Sequence, residues 1–552
     1  MSITEDSAPV VDSQTLHKPR YRQAVPVPAD LTEHIHILLD TDLYKDALIL
    51  LTDLVVSGAS NPQCASHPAF APDPYHIELI SALLIHPKYT NQITLDKEQD
   101  LGSRSITLLR NVLAILGPVN AGLGEAFSLV LGQDSHSRTS RRSRNAVDSD
   151  SGSSSPETDE FSKTVSGVIA HAGRIRKCAR GDFWNMVGWA FNCSVNYPKR
   201  WKYWKVWLGY MLDVLDEDWL ERERLDVEAE SSDGSADSND EHESKMLRQS
   251  LLVNYLSKAA KSSSVMERVV RSVFAAGDPD DEREFPEIFP NETKEVKHQN
   301  GQKRKREELM SRNFVDYDDE EAEVEFDSSE QTPEPNPGAD ETNSISGADY
   351  LGGMESIILR QRVITLLSRA SAVLPDSFGY IKEVYDEFRL CTKQLPLPAF
   401  SLFMTPSIYT KLPEVVFVSL SQRLLCDMLV TSAPRPQTVT GRDDDELTGV
   451  VLERCFLPFP ASTCSVSDNA KVSILVEGIF RLLSRVQACD FTPGLEAALE
   501  KGILARERKI KADRRKKETS ARREQGDLIW LRASAQRMRS QLSWMKQLAT
   551  KA

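Results

Sequence analysis

One stretch of the chain alternates cations and aromatic rings closely enough to suggest binding chemistry. It reads KRWKYWKVW, from Lys199 to Trp207. Cationic side chains can hold phosphate groups while neighbouring aromatic rings stack on bases, a combination typical of proteins that bind single-stranded nucleic acid. The residue types therefore predict phosphate contacts at the cations of this stretch, which are Lys199, Arg200, Lys202 and Lys205.

The same stretch lies in a tryptophan-rich block, where a structural role for the rings competes with the binding role. Residues 180–223 hold six of the eight tryptophans. Asp182 is a suitable N-cap for a first helix that ends near Val195, and a second helix begins near Lys199. Apolar residues recur along the second helix at steps of three and four, the spacing of a buried stripe. We favour a folding core over a stacking platform for the rings of Trp184, Trp189, Trp201, Trp204, Trp207 and Trp219.

A second concentration of cations lies at the C-terminus. Between Lys501 and Lys551 there are 16 Lys and Arg against 5 Asp and Glu, a local charge of +11. The whole chain carries −15, so the remainder carries −26, the difference between the two. A basic arm on an acidic body indicates an interaction segment. A salt-dependent contact with a nucleic-acid backbone is one interpretation, and a solvated charged helix or a nuclear import signal is the other. The candidate contacts are Arg508, Lys509, Lys511, Arg514, Arg515, Lys516, Lys517, Arg522 and Arg523.

The shape of this tail follows from its helix formers and its lack of proline after Pro493. We predict one long helix over residues 493–552, with Gly526–Asp527 as its candidate break. Its basic half has almost no apolar face and is expected to be exposed. Its second half carries a stripe at roughly heptad spacing, which predicts docking or coiled-coil pairing. The stripe consists of Leu528, Leu531, Ala535, Met538, Leu542, Met545 and Leu548.

Two basic clusters, residues 303–306 and Arg508–Lys517 of the tail, indicate a nuclear protein. The cluster Lys303, Arg304, Lys305 and Arg306 lies in a segment with the composition of disorder, where an import receptor could read it as an extended peptide. A tract of acidic residues studded with aromatic rings follows it, and such a tract can engage basic partners such as histones. A solubilising linker, or an internal partner for the basic tail, are the alternatives. The tract includes Phe314, Tyr317, Asp318, Asp319, Glu320, Glu321 and Phe326.

The remaining composition bounds the class of protein. Eight cysteines form no CxxC pair, which favours free thiols in a reducing compartment over a disulfide framework or a zinc site. The N-terminus lacks the apolar core of a signal peptide. Nowhere do about eighteen apolar residues run together, so no membrane span and no membrane partner are predicted. We expect an intracellular soluble protein.

Motifs of common enzyme classes are missing from the sequence. There is no GxxxxGK[ST], HExxH or GxSxG, and no paired HRD and DFG. His34 and His36 are two apart on a helix and face different directions, a poor arrangement for a metal. Asp213, Asp216 and Asp218 cluster near a helix end, and we interpret them as solvated. We predict no enzyme, no cofactor and no metal; an enzyme with dispersed catalytic residues is the alternative.

The hydrophobic period is helical almost throughout, which predicts an all-α protein. Many short helices with short connections favour an irregular helical-repeat, α-solenoid-like arrangement or stacked helical bundles. Long acidic linkers and a C-terminal basic helix complete this prediction. The predicted segments are a leader (1–28), a helical block (29–134), a Ser-rich linker (135–160), a Trp-rich block (161–276) with an acidic insert (226–243), an acidic linker (277–347), a helical block (348–492) and a basic helix or coiled coil (493–552).

The function that these features predict is binding without catalysis. We expect a nuclear scaffold in a chromatin-associated or genome-maintenance complex, with protein subunits as its main partners and DNA or RNA as auxiliary ones. A ribosome-assembly or RNA-processing factor would use the same basic helix on RNA. A histone-binding chaperone would use the acidic tract instead.

Overall fold

The computed structural model is built mainly from α-helices, which confirms the all-α prediction. The described strands, β1 (Ala24–Pro26) and β2 (Ala69–Ala71), form a two-stranded parallel sheet in which Val25 is opposite Phe70. The described helices on both sides of residues 293–345 belong to one compact unit. The structure describes residues 21–59, 67–92, 100–129, 169, 175, 182–232, 244–257, 263–294, 347–405, 412–441, 447–486, 489–512 and 521–549.

The helices described before residue 293 include two long ones and several of two to four turns. Single 3₁₀ turns lie at Pro87–Tyr89 and Leu247–Gln249. The helices are α1 (Ala29–Asp40), α2 (Tyr44–Val56), α3 (Pro74–Leu83), α4 (Leu101–Asn120), α5 (Leu123–Ala126), α6 (Phe183–Asn196), α7 (Pro198–Ser232), α8 (Leu251–Leu256), α9 (Ser263–Phe274) and α10 (Pro279–Glu284).

The helices described after residue 346 continue the same pattern. A π-helical turn at Leu452–Phe456 directly follows α18. The helices are α11 (Gly347–Tyr350), α12 (Met354–Val373), α13 (Pro375–Phe378), α14 (Ile381–Gln394), α15 (Leu397–Met404), α16 (Glu414–Met428), α17 (Pro436–Thr440), α18 (Gly449–Val451), α19 (Val466–Arg485), α20 (Pro493–Lys511) and α21 (Ala521–Ala549).

Helices α6 and α7 form the predicted tryptophan-rich hairpin. The Asp182 carboxylate accepts a hydrogen bond from the Trp184 backbone N–H at 2.9 Å, which confirms the N-cap. The chain reverses at Tyr197, and Pro198 occupies the first position of α7, where its missing N–H has no cost. Helix α7 then packs against α4 and also against α12. Contact on two sides explains why more than half of its circumference is apolar.

Three carboxylates of α7 hold neighbouring elements. Asp213 and Asp216 each accept a hydrogen bond from Nη2 of Arg362 on α12, at 2.8 and 2.9 Å. Asp218 is 1% exposed and accepts the Leu251 backbone N–H at 2.8 Å, which satisfies the start of α8. The interpretation of this cluster as solvated is therefore wrong for Asp218.

The C-terminal part is organised around α19, which is buried on most of its faces and contacts α15, α16 and α21. Helices α20 and α21 run antiparallel, because Glu500 pairs with Arg539 at 2.7 Å and Glu496 pairs with Lys546 at 3.0 Å. The expectation of one long helix is therefore wrong. Folding back allows the apolar stripe of α21 to be buried, with Leu531, Ala535, Met538, Leu542 and Met545 below 8% exposed.

Two segments predicted to lack structure contribute to the fold at their edges. Tyr21, in the predicted leader, packs on Gly117, where φ is +73° and an added Cβ would lie 2.4 Å from the Tyr21 ring. Helix α7 extends to Ser232, into the predicted acidic insert, with Arg224 bridging Glu221 and Glu228. These segments were missed because their anchors are single side chains with no hydrophobic period.

The predicted acidic linker also begins later than expected. The prediction begins this linker at residue 277, yet α10 spans Pro279–Glu284, and Phe285, Ile288 and Phe289 are at most 3% exposed. These apolar residues follow no regular helical or strand spacing and stand among acidic residues, so the sequence pattern did not reveal them.

Candidate interaction surface

The six tryptophan rings of the α6–α7 hairpin lie in the interior, and Trp201 is the most exposed of them at 7%. Trp184 Nε1 donates to the Tyr255 carbonyl oxygen at 3.0 Å, and Trp204 Nε1 donates to the Glu292 carboxylate at 3.1 Å. Stacking on a base requires an exposed ring face. In this fold none of the six rings presents one, so their role is in packing.

The four predicted cations at the start of α7 occupy different environments. Lys199 and Lys202 are exposed, and the Lys202 ammonium lies 5.8 Å from the centre of the Tyr203 ring. Lys205 is ion-paired with Glu355 at 2.7 Å. Arg200 is 1% exposed and faces inward. The sequence pattern grouped Arg200 with the phosphate contacts, but its guanidinium cannot reach a ligand outside the protein.

Arg200 forms a buried ion pair with Glu292, the last residue of the first stretch of the larger compact unit. Arg200 Nε donates to Glu292 Oε2 at 2.8 Å, and Nη2 donates to the same oxygen. Arg200 Nη1 donates to Thr90 Oγ1 and Asn91 Oδ1, both at 2.8 Å. The other oxygen of Glu292 accepts backbone N–H groups, from Ile288 at 3.0 Å and Phe289 at 3.2 Å.

The predicted cations of the tail that can contact a ligand outside the protein lie at the end of α20. Arg508 and Lys511 are exposed and Lys509 is partly exposed, and none of the three makes an ion pair with a described residue. They occupy the last turn of α20, where the helix dipole favours positive charge. Arg522 and Arg523 belong to the first turns of α21. Residues 514–517, residues 303–306 and the acidic tract around Phe314–Phe326 lie outside the described residues.

The cations further along α21 are used inside the protein. Arg537 binds the Glu477 carboxylate through two hydrogen bonds, at 2.5 and 2.8 Å. Arg539 binds Glu500 through two hydrogen bonds at 2.7 Å, and this partner lowers the pKa of Glu500. Two parallel bonds per pair fix the geometry of the guanidinium. Arg537, Arg539 and Lys546 of α21 are therefore neutralised by glutamates, whereas Arg508, Lys509 and Lys511 at the end of α20 make no ion pair with a described residue.

No family model, curated protein or solved structure matches this chain.

No group of three or more His, Cys, Asp or Glu among the described residues could hold a metal ion. Burial lowers the pKa of His76 and of His86 to about 4, so both imidazoles are uncharged near neutral pH. The six described cysteines have free thiols. No described helix has the length and apolarity needed to cross a bilayer.

Two buried arginines were not identified from the sequence. Arg360, on α12, donates to the carbonyl oxygens of Val273 at 2.6 Å and Ala275 at 2.8 Å, and lies 4.1 Å from the centre of the Phe191 ring. Burial lowers the pKa of Arg360 to about 9 and that of Arg506 to about 10. Each of these arginines occupies a position where the helical period calls for an apolar residue, and this spacing is the sequence signal that predicts their burial.

Proposed function

We propose that the chain is a non-enzymatic scaffold subunit of a nuclear, chromatin-associated or genome-maintenance complex. Its helical body, an irregular arrangement of helical repeats, would bind protein partners. The turn of the α20–α21 hairpin would add a non-specific contact to nucleic acid. The same hairpin turn would serve an RNA-processing factor, so the choice between DNA and RNA is part of the test.

The observation that carries this proposal is the sorting of the tail's cations. Arg537, Arg539 and Lys546 are paired with carboxylates of the protein, whereas Arg508 and Lys511 are exposed and make no ion pair with a described residue. Arg508, Lys509 and Lys511 stand together in the last turn of α20, and this grouping of cations supports contact with a polyanion there.

The test compares the salt dependence of duplex binding in two triple variants. The first, Arg508→Gln with Lys509→Gln and Lys511→Gln, removes the proposed contacts. The slope of log K against log salt should become less steep by about 2.7, since each phosphate contact contributes about 0.9. Fluorescence anisotropy with labelled duplex DNA and duplex RNA measures this slope and the preference between the two.

The matched control removes three exposed cations elsewhere, through Lys382→Gln, Arg435→Gln and Arg532→Gln. Its net charge equals that of the first variant, so a general charge effect would change both slopes equally. Equal slopes would reject the hairpin turn as the nucleic-acid contact. Truncation at Glu500 is a poor test, because it removes α21 and exposes the face of α19 that α21 covers.

Two further experiments address the scaffold role and the location. A pull-down from nuclear extract, with and without nuclease, should retain protein partners in the first triple variant if the helical body binds them. Loss of all partners on nuclease treatment would make the chain chiefly a nucleic-acid binder. Replacement of Lys303, Arg304, Lys305 and Arg306 by alanine should move a fluorescent fusion out of the nucleus.

A further inference from the structure

A cavity of about 200 Å³ lies where α15, α19 and α21 meet. Its polar wall carries two guanidinium groups, two hydroxyl groups and one carboxylate, and an indole ring forms part of the rest. The side chains concerned are Ser401, Thr405, Glu477, Arg481, Trp530 and Arg537.

The two arginines of the cavity differ in how their charge is used. Arg537 is bound through Nε and Nη2 to both oxygens of Glu477, whose side chain is 5% exposed. Arg481 is exposed and makes no ion pair with a described residue. Glu477 therefore orients Arg537 and cancels its charge, and the unpaired charge of the cavity is that of Arg481.

The two hydroxyl groups add hydrogen-bonding capacity to the wall of the cavity. Ser401 is 6% exposed and Thr405 is partly exposed. Each hydroxyl can donate a hydrogen bond to an acceptor atom of a ligand in the cavity. Trp530 is partly buried beside these groups and offers its ring to the apolar part of a ligand.

We propose that this cavity binds an anionic side chain of a partner peptide. The carboxylate or phosphate group would lie against Arg481, Ser401 and Thr405, and an adjacent apolar group of the peptide would pack on Trp530. The inference deepens the proposed scaffold role, on which it rests for the choice of a peptide as ligand.

The geometry favours a peptide over nucleic acid. A cavity of about 200 Å³ accommodates one head group, whereas a nucleic-acid backbone needs a groove lined by successive cations. Glu477 and Arg537 neutralise each other, so Arg481 is the one lining residue whose charge no other lining residue cancels. One unpaired cation matches a single acidic or phosphorylated side chain, whereas a polyanion needs several cations.

Calorimetric titration of the full chain tests the proposal with three probes. These are blocked phosphothreonine, blocked aspartate and a short single-stranded oligonucleotide. The first two separate a phosphate from a carboxylate ligand, and binding of either supports the site. Arg481→Gln should weaken that binding about tenfold or more, because it removes a charge-assisted hydrogen bond.

Arg532→Gln is the matched control, since Arg532 is also exposed, also makes no ion pair with a described residue, and lies outside the cavity. It should bind the probes as the unmodified chain does. Absence of binding by both blocked amino acids, or equal binding by the two variants, would overturn the proposal. So would tighter binding of the oligonucleotide that depends on Arg481. The titrations contain no duplex and no partner protein, so their failure is distinguishable from failure of the scaffold role.

Discussion

The buried pair of Arg200 and Glu292 gives the sharpest prediction about stability. Glu292→Gln keeps the shape of the side chain but removes its charge, which leaves the Arg200 guanidinium buried without a counter-charge. Breaking a buried ion pair from one side costs about 3–5 kcal/mol, mostly the desolvation of the remaining charge. Since the side chains of Arg200 and Glu292 are 1% and 0% exposed, water cannot replace the lost partner.

An exposed ion pair in the same region serves as the comparison for the buried one. Lys205→Gln breaks the ion pair with Glu355, whose members are 33% and 67% exposed, and should cost at most about 1 kcal/mol. Urea unfolding, followed in parallel by circular dichroism and tryptophan fluorescence, measures both costs. Coincident transitions from the two probes establish that a two-state analysis applies.

A double-mutant cycle isolates the electrostatic coupling. In the Arg200→Met background, Glu292 is itself an unpaired buried charge, so Glu292→Gln should cost much less there. The sum of the two single-variant costs should therefore exceed the cost of the double variant by about 2–3 kcal/mol. Additive costs, or a cost for Glu292→Gln as small as that of Lys205→Gln, would refute the idea that this pair anchors the segment ending at residue 292.

Three other predictions concern different parts of the fold. Burial, with the charges of Arg200 and Lys88, lowers the pKa of His86 from 6.5 to about 4. As pH falls, the unfolded chain is therefore protonated at this histidine before the folded chain is, and about 3 kcal/mol of stability is lost between pH 6.5 and pH 4. His86→Asn should remove that part of the pH dependence of the free energy of unfolding measured in urea. Met538→Ala should cost about 2–5 kcal/mol, because Met538 lies on the buried face of α21 and is 0% exposed, whereas exposed Gln536→Ala should change stability by less than about 0.5 kcal/mol. Gly502→Ala would place a Cβ 1.7 Å from the Leu457 carbonyl oxygen, so its melting temperature should fall well below that of the unmodified chain, and an unchanged value would contradict this packing.

The tryptophan hairpin was predictable because its signals are local. Asp182 as a cap and the spacing of apolar residues on α7 are both read within a few turns of helix. The inward position of Arg200 was not predictable in the same way. It depends on Glu292, which is 92 positions away in sequence, and no periodicity connects the two. From the sequence alone, Arg200 therefore cannot be distinguished from the exposed cations beside it.

The C-terminal hairpin shows the same limit at the level of a whole element. The apolar stripe of α21 was visible in the sequence, and docking was one of two outcomes it predicted. The chain reversal was not visible, because α20 and α21 are both strong helix formers and α20 has its own buried residues at Leu495, Leu499 and Ile503. Where the helix ends depends on the complementary face of α19, which only the assembled fold provides.

The fold also shows that only some of the cations of the tail are free of carboxylate partners among the described residues. A count over residues 501–551 gives +11, which suggests a uniformly basic arm. Three of its cations, Arg537, Arg539 and Lys546, are neutralised by glutamates of α19 and α20, and Arg506 is fully buried. Polyanion binding should therefore depend on a short stretch around the hairpin turn and not on the number of cations in the tail. Substitution along α21 would then reduce stability, whereas substitution at the end of α20 would reduce affinity, and the two effects can be measured separately on the same set of variants.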